Sequence, residues 1–158
     1  MKVTILFTHP KRPTIVSKLI CIAMNTKFDH VCIQIDNMVF GRSMIFQAAQ
    51  TSVQLITLDG MLVNHDIIAK HEILLNNMQY GQMINFLFSA LGRYYSFLGL
   101  LGMGIKYLFK RQNPFKDGYK TMFCSEYVVD ALQHAGMLQN LDAEQISPKD
   151  IFDALEAK

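Results

Sequence analysis

The segment Lys27–Ile35, KFDHVCIQI, places Val31, Ile33 and Ile35 at every second position. A period of two sends those three side chains to one face of a pleated strand and His30 and Cys32 to the other. Asp36-Asn37 supplies turn residues, and Val39–Ala48 returns as a second apolar run. A hairpin with an apolar face must bury it, so the chain needs a sheet covered by helices. Val3–Thr8 reads as an earlier strand, ended by His9-Pro10, with His9 as a turn residue. Val53–Leu58 and Ile67–Leu75 read as later strands. Between them come helical patterns. Thr14–Met24 carries Ile15, Leu19, Ile20 and Ala23 at helical spacing, with Thr14 as N-cap. Gln79–Ala90 reads as a second helix, and Cys124–Ala135 as a third, closed by Gly136. Ser147-Pro148 opens a last short one. The expectation is an α+β fold, an antiparallel sheet packed against helices, formed as one domain over residues 1–158. Gly92–Gly104 is ambiguous.

Composition bounds what such a fold can do. Hydrophobic residues make up 51% of the 158 and charged residues 18%, which suits a chain with a packed core. A formal net charge of +2 gives no case for a nucleic-acid partner. Lys106, Lys110, Arg111, Lys116 and Lys120 do cluster, opposed only by Asp117, as a solvated loop or a contact for an anionic partner such as a membrane surface. The apolar stretch Met83–Phe109 is interrupted by Arg93 and Lys106, with twelve uncharged residues between them. A span needs roughly 20, so an interfacial segment is the most this stretch supports. With no secretory leader in MKVTILFTHPKRP, a cytoplasmic location is expected. Cys21, Cys32 and Cys124 are odd in number and fit no CxxC or metal-ligand spacing, so free thiols are expected and no cofactor or metal is implied. His65 and His71 are expected in exposed loops, and His134 ends the Cys124 helix, where a cation suits the dipole.

The chemistry gathers at Cys124. In the first turn of a helix a thiol meets unpaired backbone N–H groups and the positive end of the dipole, which favour the thiolate and can hold an oxyanion. Such a cysteine is also read as a small buried hydrophobe. Catalysis needs a proton acceptor, and His30, on a strand, is the candidate. The turn at Asp36–Gly41 sets residue 30 opposite residue 47, so Gln47 can accept the second imidazole N–H and fix the tautomer. Together these predict a Cys124–His30–Gln47 constellation with a lowered thiol pKa at Cys124. Cys21, mid-helix in an apolar setting, and Cys32, in a buried strand, are expected to stay inert.

In order along the chain, DHVCIQI, IFQAA, LGRYYSF and FCSEYVVDAL resemble the circularly permuted NlpC-type papain-like proteins. That family includes the YaeF and YiiX group and the lecithin:retinol acyltransferase group. The histidine strand precedes the nucleophile helix there, as here. The resemblance runs from Val3 to Ile151 and implies a papain-like fold, Cys124 as nucleophile, His30 as base and Gln47 as the third polar residue. It also implies that Tyr95 lies near the site, as an oxyanion or substrate contact. Three positions depart from the pattern: Cys32 stands where glycine is common, Tyr94 replaces a proline, and Gln47 replaces a residue that is often acidic.

The expectation is therefore a cysteine hydrolase acting on peptide or amide bonds, cell-wall peptides among them, through an acyl-enzyme. Two rivals stand beside it. The apolar Phe97–Phe109 segment and the basic run suit a lipid-directed acyltransferase or thioesterase with peripheral membrane contact. Cys32 and Gln47 suit a catalytically silent binding module with the same fold.

Overall fold

The computed structural model describes residues 1–39, 41–49, 51–96, 99, 102, 106 and 121–157. It is an α+β fold built on a seven-stranded sheet: β1 (Lys2–Pro10), β2 (His30–Val39), β3 (Arg42–Ala49), β4 (Ser52–Thr57), β5 (His65–Leu74), β6 (Tyr94–Tyr95) and β7 (Thr121–Met122). The order across the sheet is β5-β1-β2-β3-β4-β6-β7. Every pairing is antiparallel except β6 with β7. The helices include α1 (Ile15–Met24), α2 (Leu58–Asn64), α3 (Asn77–Ser89), α4 (Cys124–His134) and α5 (Pro148–Glu156).

The sheet buries both faces, and the strand periodicity decides what goes where. Val31, Ile33 and Ile35 of β2 and Phe46 and Ala48 of β3 join Val128, Val129 and Leu132 of α4 in the main core. The alternate residues Cys32 and Ile45, with Leu6 of β1, pack under Met61 of α2. Tyr127 ties α4 to α3: its ring is fully buried and its hydroxyl donates to Leu87 O at 2.9 Å. Helix ends follow the residues expected of them. Thr14 Oγ1 accepts from Ser17 N, and Ser147 and Asp150 form a reciprocal cap on α5. Gly136, at φ +75°, follows α4 in the left-handed conformation that glycine adopts without steric cost.

Four expectations change. The β2–β3 connection does not turn at Asp36-Asn37. β2 runs on to Val39, with Asn37 at φ +52° and the register shifting between Ile35 and Val39. α2 was not expected; Thr57 caps it by accepting from Gly60 N. His65 opens strand β5 rather than lying in a loop, and His71 sits within the strand expected at Ile67–Leu75 rather than in a loop, its Nδ1 3.5 Å from Glu156 Oε1. His9 is in β1 rather than a turn. Of the basic run, Lys106 is described. It pairs with Asp150 at 3.6 Å and donates to Gln145 O. Lys110, Arg111, Lys116 and Lys120 lie outside the described residues, as does most of Phe97–Phe109. Among the described residues, no helix is long and apolar enough to cross a membrane.

Candidate active site

Cys124 is the first residue of α4, 2% exposed. The preceding residue, Phe123, anchors this helix start: its N–H donates to the Glu126 carboxylate at 3.3 Å. Its ring packs so closely on Gly99 that a Cβ there would sit 2.8 Å from Phe123 Cδ1 and 2.6 Å from Ser96 Oγ. On the other side of Cys124, Ser125 Oγ donates to Ile146 O at 2.7 Å and pins α4 to the segment before α5. The helix start that carries the sulfur is therefore capped from within and fixed outwardly to Gly99 and to Ile146.

Burial raises the Cys124 thiol to about 11. The backbone N–H groups of Val31, Ser125 and Cys124 itself pull the other way by donating to the sulfur. The lowered pKa expected from the helix terminus is thus corrected. The donors are present, but desolvation outweighs them. The Val31 contact places the sulfur against the peptide that follows His30. Tyr95, on β6, donates its hydroxyl to the Cys124 side chain. Tyr95 is half-buried, and desolvation together with that contact keeps the phenol protonated well above its usual range.

His30 opens β2, and its Nε2 lies 3.0 Å from Gln47 Oε1. With Nε2–H donating to Gln47, Nδ1 carries the lone pair. Gln47 is 3% exposed. The expected register is corrected: Ile33 pairs with Phe46 and Gln34 with Ile45, which puts Gln47 level with Cys32. The His30–Gln47 contact is therefore diagonal, a reach that long side chains manage across neighbouring strands. Burial lowers the His30 pKa to about 4, partly offset by the Gln47 hydrogen bond. His65, whose ring centroid is 6.0 Å away, pushes it down further, and Asp29 raises it.

Val31, Ile33 and Ile35 give β2 the face that meets α4, while Cys32 joins the cluster under α2 and still feels the charge of Cys124. The Cys32 sulfur contacts Met61 Sδ at 3.8 Å under α2, and burial raises its pKa. Two residues beside the site were missed. Asp29 lies between the His30 region and α1, where Ser17 Oγ donates to its Oδ2. His65 stands half-buried next to the His30 ring. The adjacency of Asp29 to His30 was visible in the sequence; the approach of His65 from a distant strand was not.

A second group of side chains lies on the far side of Asp29. His9 Nδ1 is 3.1 Å from Asp29 Oδ1 and 3.7 Å from Cys21 Sγ. Cys21 is thus not in a purely apolar setting; burial and the Asp29 charge raise its pKa. These three donors are a set that could hold a metal ion.

Comparison with known proteins rests on structure. No protein-family model and no curated protein matches the sequence. Among solved structures, one of YiiX from Escherichia coli O157:H7, described as a metalloprotein, superposes with a TM-score of 0.67. The match covers 96% of this chain and 91% of that one, at 17% identity. This chain has the YiiX fold. The histidine-before-cysteine order read from the sequence is laid out here on an architecture shared along nearly the whole chain.

Proposed function

We propose that the chain is a papain-like cysteine hydrolase acting on peptide or amide bonds, with Cys124 as nucleophile, His30 as general base and Gln47 as the residue that orients His30. One observation carries this reading. The His30 ring is bonded to Gln47 through Nε2 while the Cys124 sulfur lies against the His30–Val31 peptide.

Both burial shifts favour neutral groups, so the pair rests as thiol and imidazole. Nδ1 of His30 takes the Sγ proton as sulfur attacks the carbonyl carbon, and the carbonyl π electrons move to oxygen. The oxyanion is met by N–H groups at the start of α4 and by the Tyr95 hydroxyl. Collapse of the tetrahedral species expels the amine, which takes the proton back from the imidazolium. A thioester remains. Water, deprotonated by His30, cleaves it to release the acid and restore the thiol. Gln47 carries no charge, so it holds the ring but stabilises imidazolium less than a carboxylate would.

The test is turnover of a panel of peptide, ester and acyl-thioester substrates by the wild type and by Cys124→Ala. Product identity separates amide hydrolysis from lipid acyl transfer. A catalytically silent binding module is the second reading, favoured by the closed position of Cys124, 2% exposed. Absence of turnover by the folded wild type on every substrate of the panel would select it.

A further inference from the structure

His9, Cys21 and Asp29 come from three different elements: β1, α1 and the residue before β2. Their donor atoms nevertheless lie within 4.8 Å of one another. Two of them meet the same atom. Nδ1 of His9 is 3.1 Å from Asp29 Oδ1 and 3.7 Å from Cys21 Sγ. One ring nitrogen offers either an N–H, which would suit the carboxylate, or a lone pair, which would suit the thiol. An N–H given to the carboxylate leaves the sulfur only a weak share of it. A Cys–His–Asp relay would use opposite ring nitrogens, so this is no second triad. Three donors converging on one point suit a cation there.

The spacing can be compared with a definite ion. Tetrahedral zinc takes bonds of about 2.0–2.1 Å to imidazole nitrogen, ~2.3 Å to thiolate and ~2.0–2.2 Å to carboxylate. At the tetrahedral angle those lengths put nitrogen and sulfur about 3.6 Å apart, and nitrogen and oxygen about 3.3 Å apart. The observed 3.7 and 3.1 Å agree to within a few tenths of an ångström. One nitrogen, one sulfur and one oxygen form a borderline donor set, suited to zinc rather than to calcium or magnesium. Ser17 supplies the outer contact: its Oγ donates to Asp29 Oδ2, which leaves Oδ1 to face the other two. A groove of about 380 Å³ lined by Cys21, Ile22, Asn25, Thr26 and Lys27 borders the cysteine.

We propose that His9 Nδ1, Cys21 Sγ and Asp29 Oδ1 form a mononuclear site for a zinc-class divalent cation, with the fourth position open to water. Binding joins the ion to a neutral imidazole, a carboxylate and a thiolate, and the Cys21 proton goes to solvent. The site ties α1 to β1 and to the residue that leads into β2, next to the His30 region, and its occupancy does not depend on the hydrolase reading.

The full chain, stripped with chelator under reducing conditions, is titrated with Co²⁺ alone and then with Zn²⁺ alone. One equivalent of Co²⁺ should give a thiolate-to-cobalt charge-transfer band, which one equivalent of Zn²⁺ removes. Cys21→Ser should abolish the band, while Cys32→Ser and Cys124→Ser keep it. His9→Ala and Asp29→Asn should weaken Zn²⁺ binding tenfold or more, and Ser17→Ala by about 10–100-fold. Should Cys21→Ser not fold, the wild type still decides. Zn²⁺ should protect Cys21 from iodoacetamide, read by mass spectrometry of the peptide. Absence of a band, a band that survives Cys21→Ser, or equal alkylation of Cys21 with and without Zn²⁺ overturns the site. No arm reads turnover, so these outcomes stand apart from the fate of the proposed hydrolase.

Discussion

Cys124 should be a slow thiol in the resting protein, and the amount follows from its surroundings. Burial raises it from 9.0 to about 11, with the Val31, Ser125 and Cys124 N–H groups only partly opposing. The folded protein then holds about a hundredfold less thiolate at neutral pH than the unfolded chain. Iodoacetamide at pH 7 should label Cys124 about a hundredfold more slowly than it labels the same residue in urea, and buried access slows it further. The same shift acts on stability. The unfolded chain ionises its thiol above pH 9 while the folded one keeps the proton to about 11, so stability is intact below pH 9 and falls as pH rises through that window. By pH 10.5 the loss is about 2 kcal/mol. Urea unfolding of wild type and Cys124→Ala at pH 8 and pH 10.5 isolates it, because the other titrating groups cancel in the difference. The wild type should lose about 2 kcal/mol more than the variant. An equal loss, or rapid labelling of Cys124 at pH 6.5 ahead of Cys21, would show a preformed thiolate and refute the neutral resting pair.

Three further outcomes follow from contacts at the site. Gln47→Ala leaves the part-buried His30 N–H without its acceptor, which costs about 1–3 kcal/mol, so acylation of Cys124 should slow by about tenfold to a hundredfold. His30→Ala removes the base and should slow it more, by up to about 10⁴-fold; equal losses in single-turnover assays would give Gln47 a larger part than orientation. Gly99→Ala drives a methyl group into the Phe123 ring and Ser96 Oγ and should destabilise the protein by about 1–3 kcal/mol. It should also slow Cys124 acylation, and unchanged acylation rates would show that Phe123 does not position the nucleophile. Tyr127→Phe orphans Leu87 O and should cost about 1–3 kcal/mol in urea unfolding, a loss absent if water replaces the hydroxyl.

The parts of the fold that were legible in the sequence are those with strict periodicity. Val31, Ile33 and Ile35 announced a strand with one core face, and they meet Val128, Val129 and Leu132 of α4 as a period of 3.6 requires. Thr14, Ser147 and Gly136 marked helix ends through their own local bonding. The register of β2 on β3 was misjudged because Asn37 takes up a left-handed conformation inside the strand and shifts the pairing. Position 47 still reached His30 because a diagonal neighbour is close enough for a glutamine. α2 escaped notice because LDGMLVN is short and interrupted by a glycine, and its stability comes from Met61 packing on Leu6, Cys32 and Ile45. The nature of the Cys124 thiol was misread for a related reason. A helix N-terminus is visible in sequence, but the depth at which α4 buries it is a tertiary property, and depth decides the pKa. The meeting of His9, Cys21 and Asp29 likewise depends on three elements converging, which no spacing along the chain encodes.

The central claim is that Cys124, helped by His30 and Gln47, becomes acylated. Intact-mass and peptide mass spectrometry after exposure to a panel of peptide, ester and thioester acyl donors tests it most directly. The wild type should gain one acyl group on Cys124, with slower gain in Gln47→Ala and none above background in His30→Ala. If the folded wild type gains no adduct from any donor, or if His30→Ala is acylated as fast, the Cys124–His30 pair is not an active site and the fold serves as a binding module.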